Sequence, residues 1–282
     1  MKTIYRTIIL MLSLSIFAGC EKREAMLENA TVELSATMEY ELKTKTSLSD
    51  LADGYYYPLW SSADEIGIYA DGDKVPVKFT LKTGAGTTGA TFSGTREGEN
   101  YLAIYPYSAA GNIENGAISL TLPQIQQYVA GSFGPDSYPM IARSTSSGQL
   151  EFKNLCAVMK ISITGEAAIR SIKLTAKDEN TFLSGNAKVD IGYETSPQLQ
   201  MADGGSNSVI LDCAGTELSK DTVTDFHIVI PAQMYKGGLD IEIDVYSDTV
   251  VKSVSSDLQF QRSQIRHLKG MELGLEMELL WG

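Results

Sequence analysis

The chain has 282 residues, with 35 acidic against 23 basic side chains and a formal net charge of −12. That balance argues against nucleic-acid or polybasic lipid-surface binding, and 3 cysteines are too few for a disulfide framework. The length allows one large or two ordinary domains with real cores.

Lys2 and Arg6 form a short positive region, Ile8 to Phe17 an apolar run, and Ala18 and Gly19 lead into Cys20. This is the pattern of a secretory leader, and the run falls well short of the about 20 residues that span a bilayer. "FAGC" resembles the lipobox of bacterial lipoproteins, which implies cleavage before Cys20 and a diacylglyceryl group on its sulfur. Residues 1–19 then form a lipoprotein signal peptide and residues 20–29 a lipidated tether. Several acyl chains together give stable attachment where one is marginal.

Beyond the leader, no segment sustains apolar residues at helical spacing, while alternating runs recur between Gly, Asn, Asp and Ser clusters. The chain reads as all-β. From Thr31 to Lys43, the apolar positions Val32, Leu34, Ala36, Met38, Tyr40 and Leu42 alternate with polar ones. "GYYYPLW" then gathers Tyr55, Tyr56, Tyr57 and Trp60, as packing aromatics or as rings that stack on sugars. Asp64-Glu65 reads as a turn leading into a strand; a glycosidase would need two carboxylates at defined separation. Asp71 and Asp73 carry calcium-type oxygens without the later ligands or the closing glutamate of a calcium loop, so no metal is expected.

"RSTSSGQ" (143–149) is small, polar and aperiodic, and a domain boundary is placed there, between residues 30–148 and 149–282. In "LCAVMKISIT", Leu155, Ala157, Met159, Ile161 and Ile163 fall on one face, with Lys160, Ser162 and Thr164 on a face expected to be wet. "LDIEIDV" repeats the pattern with Leu239, Ile241, Ile243 and Val245 against Asp240, Glu242 and Asp244, and "MYKGG" before it reads as a hairpin turn after "FHIVIPA". Cys156 and Cys213 could pair in an oxidising compartment or remain buried and free. His227, out of phase with Phe226, Ile228 and Ile230, and His267, in a basic "RHLK" turn, are expected to be exposed or in turns. Neither belongs to a recognised catalytic motif, so no catalytic residue and no cofactor is assigned.

At the C-terminus, Met271, Leu273, Leu275, Met277, Leu279 and Trp281 alternate with Glu272, Gly274, Glu276, Glu278 and Leu280. The two ends of the mature chain thus offer interchangeable apolar faces at strand spacing. Six buried side chains at roughly 1.5–3 kcal/mol each rival the stability of a domain, so a neighbour's strand of the same pattern could replace the first one; the same pattern equally fits two ordinary edge strands of two sandwiches.

"LWSSADEIGIYA" (59–70), "YLAIYPYSA" (101–109), "LTLPQIQQYVAGSFGPDSYPMIA" (120–142), "FKNLCAVMKISITG" (152–165) and "FHIVIPAQMYKGGLDIEI" (226–243) together resemble the fimbrillin family, the lipoprotein-derived subunits of type V pili. The resemblance implies two transthyretin-like antiparallel β-sandwich domains, export as an outer-membrane lipoprotein exposed at the cell surface, and assembly into a fimbrium by donor-strand exchange. It implies that the strand Val32 to Leu42 is removed by an arginine-preferring protease and that Met271 to Trp281 is the donor. Arg23 precedes the strand and Arg96 lies well beyond it, leaving Lys43 and Lys45 as the possible processing site. The implied role is a stalk, tip or anchor subunit active in adhesion. Its partners are other fimbrial subunits, the outer membrane through its lipid, and a host or bacterial surface ligand. The alternatives are a monomeric glycan-binding outer-membrane lipoprotein and an extracellular hydrolase.

Overall fold

The computed structural model describes residues 31–39, 58–144 and 148–273. The strands up to residue 154 are β1 (Val32–Met38), β2 (Glu65–Ala70), β3 (Val77–Thr83), β4 (Gly89–Gly94), β5 (Tyr101–Tyr105), β6 (Ala110–Glu114), β7 (Ala117–Leu122), β8 (Ile125–Gln127), β9 (Met140–Ser144) and β10 (Leu150–Asn154). They are followed by β11 (Cys156–Gly165), β12 (Ala168–Ala176), β13 (Gly185–Asp190), β14 (Leu199–Met201), β15 (Ser208–Glu217), β16 (Thr224–Pro231), β17 (Met234–Tyr235), β18 (Leu239–Asp244), β19 (Thr249–Val254), β20 (Leu258–Gln259) and β21 (Ile265–Leu273). The all-β expectation holds.

The first strands close into a barrel in the order β1, β10, β9, β5, β2, β3, β4. Alternation explains its filling: Leu34, Ala36 and Met38 point inward from β1 onto Trp60, Phe79, Phe92 and Phe152, while Glu33 and Ser35 stay exposed. Closure leaves β1 hydrogen-bonded on both sides, antiparallel to β4 and parallel to β10.

A second core lies between a 3-stranded sheet, β16-β11-β21, and a 5-stranded sheet, β19-β18-β12-β15-β8. On β18, Leu239, Ile241 and Ile243 enter this core, and Asp240, Glu242 and Asp244 meet Lys177, Lys173 and Arg170 outside. A 4-stranded sheet, β14-β13-β7-β6, pairs strands from both sides of the expected boundary, with Leu120 opposite Ala187. The β6–β7 hairpin turns on Asn115 and Gly116, both at positive φ, as a two-residue turn between twisted strands requires. A third cluster unites the regions: Tyr69, Ile104 and Ile141 pack with Val158, Val189, Val229 and Ile265. Buried Gln126 adds a polar tie, donating to the Val229 carbonyl at 2.8 Å and accepting from its amide at 2.9 Å.

Three local expectations need correction. The stretch 143–149 begins inside β9 and ends at β10, which pair with each other, Ser144 opposite Leu150, so backbone bonds bridge the expected boundary and the chain leaves the barrel only after Asn154. The second face of β11 is buried, with Lys160 only 1% exposed, because the third cluster covers the face that alternation marked as wet. "MYKGG" does not close a hairpin. β16 pairs with β11 and β18 with β12, so the segment crosses between sheets, with Gly237 and Gly238 at positive φ and Tyr235 fully buried.

Candidate functional site

The expected first strand is a fitted part of the barrel. β1 faces β4 from Val32 opposite Gly94 to Thr37 opposite Gly89, and its last residues run alongside β10, Met38 beside Phe152. Leu34, Ala36 and Met38 are at most 7% exposed. The remaining positions assigned to this strand, Tyr40 and Leu42, lie outside the described residues, as do Cys20, Lys43 and Lys45.

The strand ends in a polar lock. Glu39, directly after Met38, holds its own amide on the Phe152 carbonyl at 2.9 Å. Its Oε1 accepts from the Asn154 amide at 2.6 Å and the Ser263 hydroxyl at 3.0 Å, and it forms an ion pair with Arg262. Arg262 also donates to the Asn154 carbonyl at 2.7 Å, and the Asn154 side-chain amide donates to Ser263 Oγ at 2.9 Å. Asn154 is fully buried and Ser263 nearly so. A carboxylate is the natural centre of three converging donors, one of them cationic. Alternation marked Glu39 only as an outward residue. Its partners Asn154 and Ser263 lie 115 and 224 positions away, so nothing local announces them.

The expected donor begins inside this chain's own core. β21 runs parallel to β11 at the margin of the 3-stranded sheet, Met271 beside Ile163 and Leu273 beside Gly165, and both side chains belong to the second core. Leu275, Met277, Leu279 and Trp281 lie outside the described residues.

The histidines are neither exposed nor in turns. His227 on β16, Lys160 on β11 and His267 on β21 stand in one cross-strand row. Lys160 Nζ is 2.7 Å from Asp225, and Ser162 links Asp225 to His267, its Oγ 2.6 Å from Nε2. His227 faces away from Phe226, Ile228 and Ile230, as its phase requires, yet it is buried. Burial and then the Lys160 charge push its pKa down to about 4. Burial, Lys160 and Lys269 lower His267 as well. Burial raises the Asp225 carboxyl, and the bonds from Lys160 and Ser162 reverse this, leaving it below the usual range.

Trp60 is a packing residue, edge-on to Phe92 at 4.9 Å and to Tyr105 and Phe152 at 5.4 and 5.5 Å. Tyr55, Tyr56 and Tyr57 lie outside the described residues. Asp64 caps the turn into β2 by accepting from the Ser61 amide at 2.7 Å, as expected, and it accepts from the Tyr105 hydroxyl at 3.0 Å. Asp71 accepts from the amides of Glu99 and Asn100, and Asp73 is bidentate with Arg96. Cys156 and Cys213 are free and buried in different clusters, and burial pushes both thiols up, Cys213 to about 12. A cleft of about 550 Å³ beside the barrel is lined by Asp64, Tyr105, Tyr107, Phe133 and Asp136.

No family model matches the chain, and neither does any curated protein. Among solved structures, a proposed cell adhesion protein from Bacteroides ovatus superposes with a TM-score of 0.51 at 12% identity, covering 83% of this chain and 89% of that one. Another from Bacteroides uniformis gives a TM-score of 0.50 at 14% identity, covering 87% and 94%. The chain shares their fold. A fimbrial assembly protein from Parabacteroides distasonis is similar more loosely, with a TM-score of 0.42 at 8% identity over 86% and 91% of the two chains. At these identities the adhesion-protein likeness concerns architecture, and the roles of Glu39, β1 and β21 rest on this chain's own residues.

Proposed function

We propose that this chain is a structural, non-catalytic subunit of a cell-surface fimbria, built as two transthyretin-like β-sandwich domains and assembled by donor-strand exchange. Cys20 carries the lipid that holds the precursor at the outer membrane. Cleavage at Lys43 or Lys45 releases the segment containing β1, and a neighbour's C-terminal segment takes its place.

The observation that carries this reading is β1 itself. It is the first strand of the described chain, it supplies a self-contained apolar face to the barrel, and its pattern recurs at the other end of the sequence. Loss of such a strand exposes apolar side chains and two rows of backbone groups together, which a strand of matching alternation covers. The shared fold with proteins proposed to act in adhesion supports the same reading.

Mass spectrometry of the mature N-terminus in native surface material tests it. A terminus after Lys43 or Lys45 in high-molecular-weight assemblies is the expected result for a stalk subunit. An acylated Cys20 joined to β1 in every assembly would overturn strand loss and leave an anchor or tip.

The cleft beside Asp64 favours a second reading, a monomeric glycan-binding lipoprotein, since aromatic faces and carboxylates are what sugar rings and hydroxyls engage. Saturable binding of oligosaccharides to the purified monomer, lost in Tyr107→Ala, is its expected signature.

A further inference from the structure

The polar lock at the end of β1 is a site in its own right. The Asn154 amide, the Ser263 hydroxyl and Arg262 converge on one oxygen of Glu39, and all three belong to the part of the chain that stays when β1 leaves. Asn154 and Ser263 are buried with β1 in place, and their donors would lose their carboxylate acceptor when it leaves. A replacing strand that brought only apolar side chains would leave them unpaired.

Set in the same direction as β1, the C-terminal segment repeats its polar punctuation as well as its apolar one. Glu33, Leu34, Met38 and Glu39 correspond to Glu272, Leu273, Met277 and Glu278. In that register Leu275 takes the place of Ala36, Met277 that of Met38, and Glu278 follows Met277 as Glu39 follows Met38. Met271 and Leu273 fill this chain's own core, so the stretch from Gly274 onward is what a copy can lend, and it spans the positions from Ser35 to the lock.

We propose that Asn154, Arg262 and Ser263 form a carboxylate socket for Glu278 of a second copy of this chain. The socket fixes the register and direction of the incoming strand. This rests on the strand-exchange reading above. Apolar alternation alone tolerates a slip of two residues, because the same face stays inward. One two-residue slip puts Leu280 after the last buried side chain and leaves the socket unfilled; the opposite slip offers Glu276 but would draw Leu273 out of its own chain's core to the place of Ala36.

The test uses the full chain in its native cells. A photo-crosslinking residue at position 278 is expected to join residues 262–263 of another copy within the oligomer ladder. Assemblies of Glu278→Ala are expected to dissociate at least about tenfold faster than unaltered ones, and those of Glu276→Ala at nearly the unaltered rate. Arg262→Ala should reproduce the Glu278→Ala loss, with Ser263→Ala as the milder variant if Arg262→Ala does not fold. Unaltered lifetimes in Glu278→Ala, or crosslinks displaced along β10, would overturn the socket while leaving strand exchange standing. A chain that forms no ladder at all would remove the exchange reading and the socket together.

Discussion

His227 is an uncomfortable side chain, buried with no polar partner for its ring. Both its ring nitrogens lack a hydrogen-bond partner, Lys160 faces it from the adjoining strand with His267 on the strand beyond, and among the described residues Asp225 offers it an opposite charge. Because its pKa is about 4 in the folded chain against 6.5 when exposed, the unfolded chain binds the extra proton between those values. Stability from this source is complete above about pH 6.5 and is lost as the pH falls toward 4, a change of about 3 kcal/mol for so buried a ring. His267 and Asp225, both lowered, act in the same direction. Urea midpoints measured at pH 7 and pH 4.5 should therefore differ clearly in the native chain and much less in His227→Leu. Equal slopes in the two proteins would assign the effect to other groups. Sequence phase identified which way His227 points but not that a second layer lies there, because a histidine opposite a lysine reads as surface until a packing partner is known.

Among the elements, legibility followed whether one face or two are covered. β1 and β18 alternate as sequence requires because their outer faces meet solvent or surface ion pairs. β11 breaks the rule because the third cluster packs on its polar side, and alternation carries no information about a sheet's second neighbour. "MYKGG" carries genuine turn chemistry, but turn residues do not say which sheet the chain enters next. Gly238 is the point where that crossing is tightest: at φ +92, an added Cβ would sit 1.8 Å from the Val254 carbonyl oxygen. Gly238→Ala should cost at least about 2 kcal/mol from left-handed strain and backbone clash together. Thermal denaturation checks this, and a Tm within one degree of the native value would mean that β18 and β19 shift freely.

The whole molecule is held by pairings that cross its sequence midpoint. β10 completes the barrel from beyond residue 149, β13 pairs with β7, and Gln126 clamps β16. Separately produced 31–148 and 149–273 fragments are therefore expected to remain unfolded alone. The barrel fragment lacks the partner of β9, and the second lacks the cover of Val158 and Val229. Circular dichroism and amide exchange of the fragments give the answer, and a cooperative transition in either one would show that the crossing pairs are dispensable. Such long-range pairing is the part of a fold that a linear pattern conveys least, since strand order is set by contacts between distant segments. The Glu39 lock belongs to the same category, for its carboxylate sits at the end of one strand and its donors at the ends of two others.

The closed ring around β1 has a consequence for how a fibre could grow. A barrel in which every strand already has two neighbours offers no open edge to an arriving segment, so entry requires departure. Bonds made and bonds broken are then nearly equal in number, and the swap has little intrinsic direction. Under the strand exchange proposed above, what would make it one-way is the fate of the outgoing piece: once severed and diluted, it could not compete with a segment delivered by an adjoining subunit, and growth would be driven by removal of the loser rather than by the strength of the winner.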